Sequence, residues 1–262
     1  MLNSRLASTA AAALATLSLS ATALHAQDSD NGSQNGRNWS LSVTAGAAYG
    51  PKYLGSDKNE GGALFDLNAE FADGLFFVGL GGIGIAPIRT DTARLSFALA
   101  YGGGRDMKDD PNNLRGLGDI DSEALLLLNG EYLLGPVSLG ATITGGDTYG
   151  VTADLSIGTA VPITSRLTLS GGLTGTWAST DHAQTYFGVT AAQAASSGKP
   201  VFTADSGFIS GGVGLSLDYA INDRTSMTLG IDYQELQGDA ARSSISVEDE
   251  QFLVGLSLTR SF

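Results

Sequence analysis

From residue 39 onward, hydrophobic side chains recur at every second position. Trp39, Leu41, Val43, Ala45, Ala47 and Tyr49 fall on one face. Ala63, Phe65, Leu67, Ala69 and Phe71 form a second such face, backed by Asp66, Asn68 and Glu70. Successive side chains of a strand point to opposite sides, so this period reads as β-strands with one apolar face. It continues through Leu95–Tyr101 and Ala124–Tyr132 (opposed by Glu123, Asn129 and Glu131), then through Val137, Leu139, Ala141 and Ile143. Val151, Ala153, Leu155, Ile157 and Val161 follow, and then Leu167, Leu169, Leu173 and Trp177 against Thr168, Ser170, Thr174 and Thr176. Ile209, Val213, Leu215, Leu217 and Tyr219 precede Met227, Leu229, Ile231 and Tyr233, with Asp154 and Asp232 on opposite faces. The chain closes on Phe252, Val254, Leu256, Leu258 and Phe262, with small or hydroxylated residues between them and Arg260 as the one departure.

Most segments run to ten residues or more, against the ~5–6 of a typical globular strand and the ~9–11 needed to cross a bilayer. Asp66, Asn68 and Glu70 on one face suit a water-filled lumen and are prohibitive against hydrocarbon. Aromatics at both strand ends suit the two membrane interfaces. Residues 75–88 are read as two short strands, 75–80 and 83–88, turning at Gly81-Gly82. Short turns, as at Leu134-Gly-Pro136, mostly alternate with longer polar loops, as short periplasmic turns alternate with long extracellular loops in outer-membrane barrels. Counting back from a periplasmic Phe262 gives about twelve strands, with ten as the alternative. The predicted fold is all-β, an antiparallel transmembrane β-barrel over residues 39–262.

Residues 1–26 have the layout of a secretory signal peptide: Arg5, then a small apolar run, with cleavage after Ala23 or Ala26. Residues 27–38 form a polar lead-in read as disordered. Later in the chain no run is long and apolar enough for a spanning helix, so a spanning protein must be a barrel. Glycine is abundant at 36 residues, cysteine is absent, and the net charge is −13. That charge argues against nucleic acid, whose phosphates demand basic patches.

Five stretches carry a family resemblance, in order along the mature chain: Pro51-Lys-Tyr53-Leu-Gly55-Ser56-Asp57; Phe71-Ala-Asp-Gly74-Leu-Phe76-Phe77; Gly104-Arg105-Asp106-Met-Lys-Asp109-Asp110 with Leu114-Arg115-Gly116-Leu117-Gly118-Asp119; Trp177 with Tyr186-Phe187-Gly188-Val189-Thr190; and Tyr233-Gln-Glu-Leu236-Gln-Gly238-Asp239 before Ser243-Ser244. Together they resemble the MipA/OmpV family of bacterial outer-membrane proteins. The resemblance implies a barrel without known catalysis or cofactor in the outer membrane of a Gram-negative bacterium, among its lipid and lipopolysaccharide. It implies insertion by machinery that reads the terminal Phe252, Val254, Leu256, Leu258 and Phe262. For the namesake it implies a scaffold joining a lytic murein transglycosylase to a penicillin-binding protein; other members are described as adhesins.

Candidate chemistry is sparse. His182 lies beside Asp181 in the longest loop, where Ser179 or Ser206 is the imaginable partner for lipid hydrolysis. No nucleophile motif surrounds either serine, so His182 is read as a solvated loop residue and the protein as non-enzymatic. Asp106, Asp109, Asp110 and Asp119 are weak candidates for a cation site. Arg105 and Arg115 are read as possible plugs, reaching into the mouth toward Asp66, Glu70, Glu123 and Glu131. Three functions stay open: a scaffold for murein enzymes, a narrow cation-preferring channel lined by Asp66, Asn68, Glu70, Asp154 and Asp232, and an adhesin acting through its outer loops.

Overall fold

A computed structural model describes residues 38–262; the leader and nearly all of the lead-in lie outside the described residues. Twelve antiparallel strands close into one barrel, each paired with its sequence neighbours and the first with the last. They are β1 (Trp39–Pro51), β2 (Asn59–Phe71), β3 (Phe76–Gly79), β4 (Gly82–Arg89), β5 (Ala93–Gly102), β6 (Glu123–Leu134), β7 (Val137–Gly146), β8 (Gly150–Pro162), β9 (Leu167–Ala178), β10 (Gly207–Asn222), β11 (Thr225–Leu236) and β12 (Glu250–Ser261). Closure gives every strand a neighbour on each side over at least part of its length, which is what makes a sheet tolerable in lipid.

The terminal strand zips the cylinder shut. β12 pairs with β1 from Ser42↔Ser261 to Tyr49↔Val254, and the Phe262 N–H donates to the Leu41 carbonyl at 2.9 Å. The seam is tight at Gly46, where a Cβ would stand 2.4 Å from the Leu256 carbonyl oxygen and 2.9 Å from Ser257 Cα. Arg260 does sit on the lipid-facing series, at the inner rim, where Nη1 donates to Thr225 Oγ1 at 2.8 Å and the guanidinium lies 5.9 Å from the Phe262 ring.

The outward positions make an apolar belt bounded by two aromatic girdles. Trp39, Phe71, Tyr132, Tyr219 and Phe262 ring the inner end; Tyr49, Tyr101, Trp177, Phe208, Tyr233 and Phe252 ring the outer end, all exposed but the half-buried Tyr233. Ten residues separate Trp39 from Tyr49; at about 3.3 Å each and a tilt near 40°, they rise roughly 25 Å, the height of an outer-membrane apolar band.

Two details of the expected pattern change. β3 spans only Phe76–Gly79, and the hairpin turns at residues 80–81, since Gly79 pairs with Gly82. Ile209, expected among the lipid-facing residues, is 3% exposed and faces inward. A bulge between Phe208 and Ser210 inserts one residue opposite Trp177 and Thr176, so Phe208 takes the outward place. The inner connections (residues 72–75, 90–92, 135–136, 163–166 and 223–224) are short, and the loops at residues 103–122, 179–206 and 237–249 all lie at the outer end.

Candidate functional site: the capped mouth and the acidic lumen

The outer loops do not trail into solvent. They hold a 3-10 turn (Met107–Asp109) and three helices, α1 (Thr180–Phe187), α2 (Ala191–Ser197) and α3 (Gly238–Arg242). Ser179 caps α1, its Oγ accepting from the N–H of His182 at 3.3 Å and of Val151 at 3.0 Å. Thr190 and Gln193 form a capping box on α2, which ends at Gly198 in the left-handed conformation.

Two buried clusters bind these segments to each other. One joins Ala183 and Phe187 of α1 to Ala240 of α3 and to Ile209 and Leu236 at the strand tops. The other joins Tyr53 (residues 52–58), Leu114 and Leu117 (103–122), Val189 and Ile245. Loops rising from opposite sides of the barrel thus meet over its mouth as a folded cap. Gly116 shows how closely: its φ is +81°, and a Cβ there would meet the Ser196 backbone at 2.7 Å.

Polar ties run through the same clusters. The buried Asp110 carboxylate pairs with Lys58 and accepts from the backbone N–H of Asn112 at 3.2 Å. Burial pushes its pKa up, but Lys58 and the local N–H donors outweigh it and hold it below the usual carboxylate value. Asn113 Nδ2 donates to Tyr53 Oη and to the Ile245 carbonyl, each at 2.6 Å, while Lys199 donates to Asn113 Oδ1 and the Ser244 carbonyl. Ser243 Oγ donates to the Phe187 carbonyl at 2.5 Å.

Arg105 does not reach the lumen carboxylates. Its Nη1 donates to the Tyr186 carbonyl at 2.7 Å, and its guanidinium lies 6.0 Å from the Tyr53 ring. Burial lowers its pKa from the usual arginine value. It fastens the 103–122 loop to α1, whose Tyr186 hydroxyl in turn donates to the Gly103 carbonyl. Arg115 is exposed on the outer surface.

His182 is buried, not solvated. Nδ1 lies 2.8 Å from the Tyr149 carbonyl oxygen, and the ring stacks on Tyr186 at 4.5 Å and meets Tyr149 edge-on at 4.6 Å. Burial pulls its pKa down to about 4, only partly opposed by the Tyr149 carbonyl. With Ser179 Oγ committed to helix capping, this pair is built as structure.

The acidic loop residues hold their own backbone. Asp109 Oδ2 accepts from the Asp106 N–H at 2.9 Å, Asp119 Oδ1 from the Met107 N–H at 2.7 Å, and Asp106 pairs with Lys108 at 3.0 Å. Among the described residues no three acidic, histidine or cysteine side chains converge to hold a metal ion. A cleft of about 450 Å³ opens between this loop and the two helices α1 and α2, with Asp119, Asp147 and Asp181 on its walls.

Below the cap, inward positions carry Asp66, Asn68, Glu70, Glu131, Asp154, Asp232 and also Asp218, which was not among the lumen residues expected from the sequence. Glu70 pairs with Arg94 at 3.1 Å. Asp154 accepts from Thr176 at 2.7 Å, and Asp218 from Thr228 at 2.6 Å and Ser216 at 3.3 Å. Glu123, at the outer end, accepts from the N–H of Asp147 at 3.0 Å and of Tyr149. The lumen wall is therefore acidic, with its carboxylates held by hydroxyls more than by cations.

The family-motif residues expected separately now share one place: Tyr53, Gly55, Gly104, Arg105, Asp106, Arg115, Gly116, Gly118, Tyr186, Phe187 and Gly188 belong to the cap, and Pro51 ends β1 directly beneath it. Lys58, Asn113, Lys199 and Gln251 complete it and had no local signal, because each has a partner tens of residues away.

A family model described as MltA-interacting protein MipA matches residues 43–262. Among solved structures the chain is similar to the NanC porin, at 8% identity over 84% of this chain and 98% of that one, with a TM-score of 0.41. It is also similar to OmpT of Vibrio cholerae, at 8% identity over 86% of this chain and 97% of that one, with a TM-score of 0.36. No curated protein matches it.

Proposed function

The chain belongs to the MipA family, and we propose that it is a non-enzymatic outer-membrane anchor for murein-processing enzymes, a lytic transglycosylase and a penicillin-binding protein among them. It reaches the membrane by export on residues 1–26 and cleavage after Ala23 or Ala26. The observation that carries the docking reading is the distribution of charge. The chain is strongly acidic overall, yet its inner rim places four arginines, Arg89, Arg166, Arg224 and Arg260, against Asp73, Asp91 and Asp223. Among the described residues the surface facing the murein layer is thus without an acidic excess, so an acidic partner face is not repelled by them.

The test is a pull-down of the tagged protein from gently solubilised envelopes, with partners identified by mass spectrometry. Recovery of a murein hydrolase or synthase above an unrelated-barrel control, lost in an Arg166→Glu/Arg224→Glu variant, supports the reading. Recovery that is equal in the variant, or absent from both, sinks it.

The acidic lumen favours a second reading, a narrow cation-preferring channel. In a planar bilayer under a salt gradient its reversal potential sits on the cation side, and Asp154→Asn/Asp218→Asn moves it toward zero. An anion-side potential refutes this reading.

A further inference from the structure

The barrel wall is incomplete in one place. The β3–β4 hairpin pairs with β2 only from Ala69↔Val78 to Phe71↔Phe76, while on the other side it climbs β5 as far as Ile83↔Leu99. Residues 59–68 of β2 therefore have a strand partner on the β1 side alone. Their outward residues Ala63, Phe65 and Leu67 belong to the apolar belt. From Gly61 to Leu67 this free edge rises roughly 15 Å at about 3.3 Å per residue and a tilt near 40°, which is half of the hydrocarbon thickness.

Above the gap the wall resumes as loop. Residues 52–58 cross to residues 103–122 through the Lys58–Asp110 pair, the Lys52 ammonium on the Asp109 carbonyl at 3.2 Å, and Asn113 on Tyr53. Below it lies the hairpin tip, where Asp66 Oδ1 accepts the Leu80 N–H at 2.9 Å. The result is a framed window in the half of the wall nearest the outer surface. Among the described residues the four most exposed large apolar side chains are Tyr101 (75%), Leu126 (69%), Phe65 and Ile83 (66% each), and three of them stand on its frame. On the lumen side the inward residues beside the opening are Gly62, Ala98 and Ala100, which are small, together with Leu64, Asp66 and Asn68.

A strand edge with unpaired N–H and C=O groups is not stable against hydrocarbon. Here it is reached from an aqueous, acidic lumen whose direct outer exit is covered by the cap. We propose that this window is a lateral entry between the outer leaflet and the lumen that admits cationic amphiphiles, the apolar tail lying against Phe65, Ile83 and Tyr101 and the ammonium entering beside Asp66. The charge of the lumen selects the head group, and the missing strand height selects a single-chain ligand rather than a solute taken from bulk water. The inference does not depend on the docking role of the inner rim.

The protein is reconstituted in nanodiscs and exposed to two photoreactive probes of equal chain length, a long-chain primary amine and a long-chain sulfate, with adducts mapped by mass spectrometry. The expected result is labelling of the lumen-facing Leu64 and Asn68 by the amine at several times the level of the sulfate. Outward Phe65 and Leu67, which touch lipid in any case, label equally with both. Asp66→Asn removes the preference while the heat-modifiable gel shift of the folded barrel persists. Labelling confined to outward residues means the window is shut and overturns the proposal. Equal labelling of Leu64 by the two probes overturns the charge selection, and a dimer with residues 59–68 protected assigns the free edge to a second copy instead.

Discussion

His182 makes the cap sensitive to acid in a calculable way. Its imidazole is held neutral by burial, with a pKa of about 4 in the folded cap against the ordinary 6.5. The unfolded or opened segment therefore binds the proton more readily than the closed one. Stability from this group is fully present above pH 6.5 and is lost as pH falls from 6.5 toward 4. At 1.36 kcal/mol per pKa unit, the loss reaches about 2 kcal/mol at pH 5, close to thirtyfold in the opening equilibrium. It levels off near ~3.4 kcal/mol below pH 4. Amide hydrogen exchange over residues 180–187 in nanodiscs, corrected for intrinsic rates, reads that equilibrium directly. His182→Phe keeps the stack against Tyr186 and cannot be protonated, but forfeits the contact with the Tyr149 carbonyl, worth about 1 kcal/mol. The variant is thus less protected than wild type at pH 7 and better protected at pH 5. Protection of wild-type α1 that stays constant from pH 7 to pH 4.5, or curves for the two proteins that never cross, would refute the reasoning.

Other perturbations separate the barrel from its cap. Gly46→Ala drives a methyl into the Leu256 carbonyl across the closing seam, and should cost about 1–3 kcal/mol, seen as a lower temperature for loss of the heat-modifiable band; an unchanged transition argues against a close-packed β1–β12 seam. Arg105→Ala removes the buried tie from the 103–122 loop to α1 and leaves the Tyr186 carbonyl without its donor, a loss of about 2–3 kcal/mol. Proteases should then cut the 103–122 loop sooner while the barrel band is unchanged, and equal cleavage rates would show that the tie carries no stability. Asp110→Asn leaves Lys58 unpaired and loosens the same loop at neutral pH by about 1–3 kcal/mol. Because the Asp110 carboxyl is held below its ordinary value of 3.8, its contribution is present above that pH and disappears only as pH falls through the lower, folded value. Wild type and variant should converge in proteolysis once pH has fallen below that folded value, and a constant difference throughout the acid range counts against the ion pair.

The legible part of this fold was its period. Phe65 outward with Asp66 inward, repeated strand after strand, admits one arrangement, because a single-residue slip would put carboxylates into lipid along a whole segment. Parity of the short turns supplied the strand number. Ile209 escaped this reading since a bulge resets the period, and nothing in Phe-Ile-Ser-Gly-Gly marks where the extra residue sits. The site was legible only as fragments. Tyr53, Tyr186 and the group Arg105, Leu114 and Gly116 stood in three separate loops, and their convergence was hidden because the pairings that join them span about 60 to 130 positions of chain.

By itself, then, the sequence determined a barrel: alternation, strand length and terminal aromatics are local properties enforced by the solvent on either side of the wall. The rest depended on which loop meets which. A polar loop carries no local record of its partner, so folding of the outer loops into a cap, burial of His182, and conversion of Arg105 from an expected plug into a fastening between loops were decided in three dimensions. The same holds for the gap beside β2. Four residues of β3 look like a short strand in sequence, and only the register against two unequal neighbours turns that shortness into an opening in the wall.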